Sequence, residues 1–224
     1  MNAWDLEYSR GGIPSSYRQE PSGALTWALA NWRTLTGRDR PVSALDVGCG
    51  TGRNACYLAS LGIDVLAFDS SERAIELARE RVCPARFLVH DLSDGIPALN
   101  AGFDLVADIF VYKHLVDAGL RAAYRNELAR VLKPGGRLLV SLAEPEDGYY
   151  GACPEPQPGR RPRVVVDPAA GIASVLFSLA ELEAEFAGRF ELEMAWRKRK
   201  PGPMHGTTFM RRTLASIWIK SDFK

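Results

Sequence analysis

This sequence has no excess of either charge. Its 28 basic and 27 acidic residues among 224 leave a formal net charge of +1. With so little global field, neither a nucleic acid nor an anionic membrane is expected as a partner. No apolar run approaches the length needed to span a bilayer. The opening "MNAWDLEYSRGG" lacks the basic-then-apolar order of a secretory signal. Cysteine is sparse: Cys49, Cys56, Cys83 and Cys153 form no CxxC pair and no regular framework. No zinc or other metal site is therefore expected, and the four thiols read as free in a reducing, cytoplasmic setting. Repeats and low-complexity segments are absent too. The one conspicuous charge run, "RKRK" at Arg197 to Lys200, reads as a solvated strand end.

What remains is an ordinary globular composition, 46% hydrophobic and 25% charged, enough for one substantial core with a cap or lid added. Residues 1–40 hold several aromatics around a glycine-proline turn. Their second half, "GALTWALANWRTL", has helical spacing at Leu25, Leu29, Trp32 and Leu35. These residues form an N-terminal helical cap, and 41–224 form the core. From Val42, strand and helix signals alternate: "SALDV", "RNACYLASLG", "DVLAFD", "SERAIELARERV", "ARFLVHD", "FDLVADIF", "AGLRAAYRNELARVL" and "RLLVSL". Such alternation implies right-handed crossovers and a mainly parallel sheet, an α/β fold. Residues 143–171 break the pattern with proline, glycine and charge, and read as a lid or substrate loop. After a further helix, "FELEMAWRKRK" and "TFMRRTLASIWIK" form an antiparallel pair. The sum is a seven-stranded sheet with a reversed last strand and helices on both faces.

The first strand-to-helix turn, "ALDVGCGTGRN", places Gly48, Gly50 and Gly52 at alternate positions. Glycines there permit positive φ and close approach of a ligand, and the following helix offers free N–H groups. A P-loop would need Gly-Lys-Ser/Thr, which is missing. The dinucleotide spacing Gly-x-Gly-x-x-Gly is broken by Arg53, which weakens that reading and leaves it open. Asp46, Asp69 and Asp91 end successive strands, where open α/β sheets bind ligands. Together they describe a nucleoside with no pyrophosphate.

"LDVGCGTG", Asp69 seventeen positions after Gly52, "HDL" and "LKPGGRLLV" resemble the successive motifs of class I S-adenosylmethionine-dependent methyltransferases, whose fold is Rossmann-like. The resemblance runs over roughly 42–142. "WDLEYSRGG" is similar to small-molecule members of the tellurite-resistance and thiopurine type. The resemblance implies S-adenosylmethionine as cofactor. Asp46, Gly48, Gly50 and Gly52, with Cys49, would shape the pocket for its methionine portion. Asp69, with Ser70 beside it, would hold the ribose, and Asp91 with Leu92 would frame the adenine. Tyr17 and Arg18 of the cap would reach the cofactor, the arginine clamping a carboxylate.

Methyl transfer to a small-molecule N, O or S nucleophile by in-line displacement is then the expected reaction. Asp108, at the end of "FDLVADIF", lies beside the reactive methyl as a cofactor contact and base candidate. His114 and His205 are the other base candidates, and Tyr8, Tyr149, Tyr150 and His205 the expected substrate walls. Lys113 reads as solvated and Asp104 as structural. Two alternatives stay open: transfer or cyclisation of the aminocarboxypropyl arm with release of methylthioadenosine, and a non-catalytic cofactor-binding partner. The chain is expected to act as a monomer or homodimer.

Overall fold

The computed structural model describes residues 3–221, the side chains at 15 and 16 excepted. Four short helices come first: Ala3–Arg10 (α1), Pro14–Tyr17 (α2), Gly23–Ala30 (α3) and Trp32–Thr36 (α4). The single helix expected over the last two is interrupted at Asn31, whose side-chain amide donates to the Trp27 carbonyl at 2.8 Å. This is the usual way asparagine competes with a helical backbone. Leu25 and Trp32 are nonetheless both buried.

Strands and helices then alternate as Ser43–Val47 (β1), Arg53–Ser60 (α5), Asp64–Asp69 (β2), Glu72–Arg79 (α6), Arg86–Val89 (β3), Phe103–Ile109 (β4), Ala118–Val131 (α7) and Leu132–Ala143 (β5). Helix signals act where the sequence places them. Gly62, at φ +75°, follows α5 and donates to Ala59, and the Ser71 hydroxyl caps α6 by accepting from Ala74 N–H at 3.1 Å. One boundary differs. "KPGG" lies inside β5 as a bulge, because Phe103 pairs with Leu132 while Leu105 already pairs with Arg137.

Later come Arg163–Val166 (β6), Ala173–Leu176 (β7), Leu179–Phe186 (α8), Phe190–Met204 (β8) and Thr207–Lys220 (β9). The main sheet has seven strands in the order β3-β2-β1-β4-β5-β9-β8. β9 runs antiparallel to both neighbours, so the last strand is reversed as expected. Its hairpin with β8 closes through His205 and Gly206, at φ +46° and +79°, the left-handed pair that a two-residue turn between twisted strands requires. Pro201 and Pro203 fall on β8, an edge strand where a missing N–H is tolerated.

Alternate strand residues feed opposite faces. Leu45, Val47, Phe68 and Val106 join one buried cluster with α7 and α8. Ala44, Val65, Ala67 and Leu105 join the other with α3, α4 and α5. A third cluster explains the 143–171 segment, which is more ordered than its composition suggests. Tyr149, Tyr150, Cys153 and Val165 pack with Ile13, Ala143 and Met204, and β6 pairs with β7 as a separate two-stranded sheet.

The expectation of four free thiols is corrected for one pair. Cys56 and Cys83 form a disulfide with Cα atoms 5.4 Å apart, while Cys49 and Cys153 are free and buried. The pair is 27 residues apart in sequence, and the β1-α5-β2-α6 crossover brings it together. Among the described residues no helix is long and apolar enough to cross a membrane, and no group of ligating side chains could hold a metal.

Candidate active site

Strand order reverses between β1 and β4, and the crevice beyond such a switch point is where open α/β sheets take ligands. A cavity of about 830 Å³ opens there, walled by strand ends, the N-terminal helices, the 143–171 segment and one face of β8. Trp196, Lys198, Lys200 and Gly202 line it, every second residue as strand periodicity requires. The "RKRK" run is therefore not simply solvated. Arg197, between them, pairs with Glu144 instead, at 2.7 Å.

At one end lies the glycine turn. Gly48, Gly50 and Gly52 have φ of +57°, +54° and +77°, a region that penalises any Cβ. Space is equally restrictive. A Cβ on Gly48 would come 2.4 Å from Val111 Cγ2, and one on Gly50 2.5 Å from the Tyr8 hydroxyl. Asp69 lines the cavity and braces the turn. Its Oδ2 accepts from Gly50 N–H and its Oδ1 from Ser71 N–H, both at 2.9 Å. Burial pushes this carboxyl upward, against the pull of its backbone hydrogen bonds. The Ser70 backbone also bonds to this carboxylate, and its two oxygens, with about four lone-pair sites, retain acceptor capacity for a ligand.

Gly48, Ser70, Asp91, Leu92 and Arg18 line the same cavity. Asp91 also accepts from Ser93 N–H at 2.8 Å, so it shapes its own turn. Of the other expected cofactor residues, Tyr17 is 43% exposed and does not line the cavity; Gly50, Gly52 and Cys49 lie behind the wall. Asp46 is fully buried beneath it, with Oδ2 lacking any hydrogen-bond partner among the described residues. Burial raises it to about 7, opposed by Arg53 and by a hydrogen bond from Ala55. Tyr8, expected as a substrate wall, lines the cavity with its hydroxyl close over Gly50, and burial and the nearby Asp69 charge push its phenol well up.

The base candidates separate. Asp108 is completely buried and absent from the cavity wall. Its Oδ1 accepts from Val111 and Tyr112 N–H at 3.1 and 3.0 Å, and its Oδ2 from the Tyr124 hydroxyl at 2.9 Å. Burial raises it to about 6 in spite of these bonds. The expectation that it touches cofactor or substrate is corrected: it fastens the turn that follows β4. That turn, with Phe110 at φ +69°, carries Lys113 and His114 into the wall. His114 Nδ1–H donates to the Ala173 carbonyl at 2.9 Å, and the ring meets Trp4 edge-on at 4.8 Å between centroids. Burial lowers it to about 3, so the ring is neutral and donates through Nδ1.

His205 and Tyr149 do not line the cavity. Both are bound to Asp167, His205 Nε2 at 2.9 Å and the Tyr149 hydroxyl at 2.7 Å, and His205 N–H donates to Gly12 at 3.0 Å. They clasp the hairpin tip, the 143–171 segment and the N-terminal turn together. Tyr150 does line the cavity. Lys113, read as solvated, is 1% exposed, with Nζ 3.3 Å from the Tyr150 ring centroid. Arg53, Arg211 and Trp4 also line the wall, and sequence reasoning assigned them no site role. Nothing in the local pattern marks Lys113 or Arg211; Arg53 alone had a signal, directly after the glycine turn.

The residues lining the cavity fit S-adenosylmethionine. A backbone cradle without Cβ stands beside a carboxylate with spare acceptor capacity and a second carboxylate one strand over. Residues 44–136 match the family model of a methyltransferase domain. Demethylmenaquinone methyltransferase of Tropheryma whipplei (strain Twist) is 33% identical over 138 residues, covering 59% of this chain and 53% of that protein. Malonyl-[acyl-carrier protein] O-methyltransferase of Salmonella typhimurium is 36% identical over 136 residues, covering 61% and 52%. The chain thus spans about half the length of the curated relatives it matches. Burkholderia thailandensis 1,6-didemethyltoxoflavin-N1-methyltransferase, solved with 1,6-didemethyltoxoflavin and S-adenosylhomocysteine, has the same fold. Its TM-score is 0.68 at 23% identity, covering 98% of this chain and 86% of that one.

Proposed function

We propose that this chain, which belongs to the class I S-adenosylmethionine-dependent methyltransferases, transfers a methyl group to a small-molecule nucleophile. The observation that carries this reading is one cavity whose lining joins Gly48 of the glycine turn and Asp69 with Lys113, His114 and Tyr150. In this reading Asp69 holds the ribose hydroxyls, Asp91 and Leu92 frame the adenine, and Gly48 with Arg18 receives the methionine portion.

When bound, the cofactor supplies an electrophilic methyl on a sulfonium. The chain's own work is to align the acceptor in line with it and to exclude water, which is worth ~7–11 kcal/mol of barrier lowering when orientation is good. Asp108 contributes at one remove, by holding the turn that bears Lys113 and His114. The aminocarboxypropyl alternative is not favoured, because the relatives matched are methyltransferases.

Calorimetry with S-adenosylhomocysteine tests the placement of the cofactor. Asp69→Ala should weaken binding by ~2–3 kcal/mol, the loss of charge-assisted hydrogen bonds. An unchanged affinity in a folded variant would put the ribose elsewhere.

A further inference from the structure

Lys113 Nζ is fully buried and makes no hydrogen bond among the described residues. An isolated buried ammonium is costly enough that the amine usually sheds its proton instead. Among the described residues no carboxylate is ion-paired with it. Asp147 is engaged by Arg211 Nε at 2.9 Å, by Arg212 N–H, and by the Tyr149 and Tyr150 N–H groups. Asp167 is engaged by His205 and Tyr149. The other polar groups facing the amine are the neutral His114 ring, the Cys153 thiol and the Arg211 guanidinium. Burial first, then Arg211, holds Lys113 well below the ordinary lysine value, against the pull of Asp147, Asp167 and Cys153. The amine lies 3.3 Å from the Tyr150 ring centroid and 5.7 Å from that of Phe110, and all three residues line the cavity with Trp4 and His114.

Resting on the methyl-transfer reading, we infer that Lys113 is the proton acceptor for an acidic hydroxyl on an aromatic ring, a phenol-class methyl acceptor. The aromatic wall suits a flat ring, and a buried unpaired amine suits a hydroxyl that arrives neutral and leaves its proton behind. In the reaction the acceptor's O–H bond breaks and an N–H bond forms at Nζ, giving an oxyanion beside an ammonium. The oxygen then forms its bond to the methyl carbon as the carbon–sulfur bond breaks, and that electron pair stays on sulfur. The ammonium proton passes to water when the product leaves.

The test uses the full chain loaded with S-adenosylhomocysteine and 4-nitrophenol as probe, because phenol and phenolate differ in absorbance. Calorimetry of S-adenosylhomocysteine comes first: if it does not bind, the cofactor reading fails, whereas binding without ionisation of the probe counts against Lys113 alone. Buffered below the probe's own pKa, the wild-type protein should bind it as phenolate. Lys113→Met should lower the bound phenolate fraction at least ~10-fold and unfold at or above the wild-type temperature, since an unpaired buried amine has been removed. Four results would overturn the inference: no probe binding, binding of the neutral phenol by wild type, phenolate retained in Lys113→Met, or a marked drop in that variant's unfolding temperature. A one-methyl mass gain on Lys113 after incubation with S-adenosylmethionine alone would also overturn it, by making the amine the acceptor. If the variant does not fold, binding of the neutral phenol by the wild type still overturns the inference.

Discussion

Asp108→Asn separates a fastening residue from a base. In the fold Asp108 accepts three hydrogen bonds, from Val111 N–H, Tyr112 N–H and the Tyr124 hydroxyl. Asparagine keeps one oxygen for the two backbone donors, and its amide can donate to the Tyr124 oxygen. Burial moves the native carboxyl from the usual 3.8 to about 6. A raised folded value means that the folded state takes up the proton first. The group's contribution is therefore most favourable below about pH 4 and is lost as pH rises through about 6. At 1.36 kcal/mol per pH unit the loss amounts to ~3 kcal/mol. Asp108→Asn escapes it, so between pH 4 and 7 the variant should gain ~3 kcal/mol on the wild type. Urea unfolding at a series of pH values, with the two proteins in parallel, measures that difference. Asp108→Ala strands three donors and should be ~3–5 kcal/mol less stable than Asp108→Asn at any pH. A stability gap between Asp108→Asn and wild type that does not change with pH would refute the reasoning. So would Asp108→Ala proving as stable as Asp108→Asn.

Two further outcomes check other parts of the fold. His205→Ala keeps a Cβ at φ +46° and drops the Asp167 contact; it should cost ~1–3 kcal/mol in thermal unfolding. His205→Gly should cost less, and neither should change affinity for S-adenosylhomocysteine in calorimetry. Cys56→Ser opens a cross-link over 27 residues, worth ~3.5 kcal/mol by loop entropy. Its unfolding temperature should match that of the reduced wild type and fall below the oxidised one.

Features that depend on backbone chemistry were legible in the sequence. The alternation from Ser43 to Ala143, the glycine turn, the Ser71 cap and the reversed last strand each follow from local residues. Asp69, Ser70, Asp91 and Leu92 reach the cavity because strand ends place them there. What escaped depends on which distant side chains meet. "FVYKHL" gives no sign that Lys113 is buried, because its cover, Tyr150, comes from a segment 37 positions later. Asp108 reads as an active-site carboxylate until Tyr124 and the Val111–Tyr112 backbone are seen to occupy it. Tyr149 and His205 looked alike as pocket residues, and a shared partner, Asp167, draws both out of the wall. Cys56 and Cys83 are brought together only by the crossover of α5 and α6.

The central claim is methyl transfer from S-adenosylmethionine at the cavity shared by Gly48, Asp69 and Lys113. The most direct measurement is the mass of the nucleoside product after incubation of the protein with S-adenosylmethionine and small-molecule extracts. S-adenosylhomocysteine should accumulate with the wild type, and far less with Asp69→Ala. Methylthioadenosine as the product, or S-adenosylhomocysteine formed equally by the variant, would contradict the account.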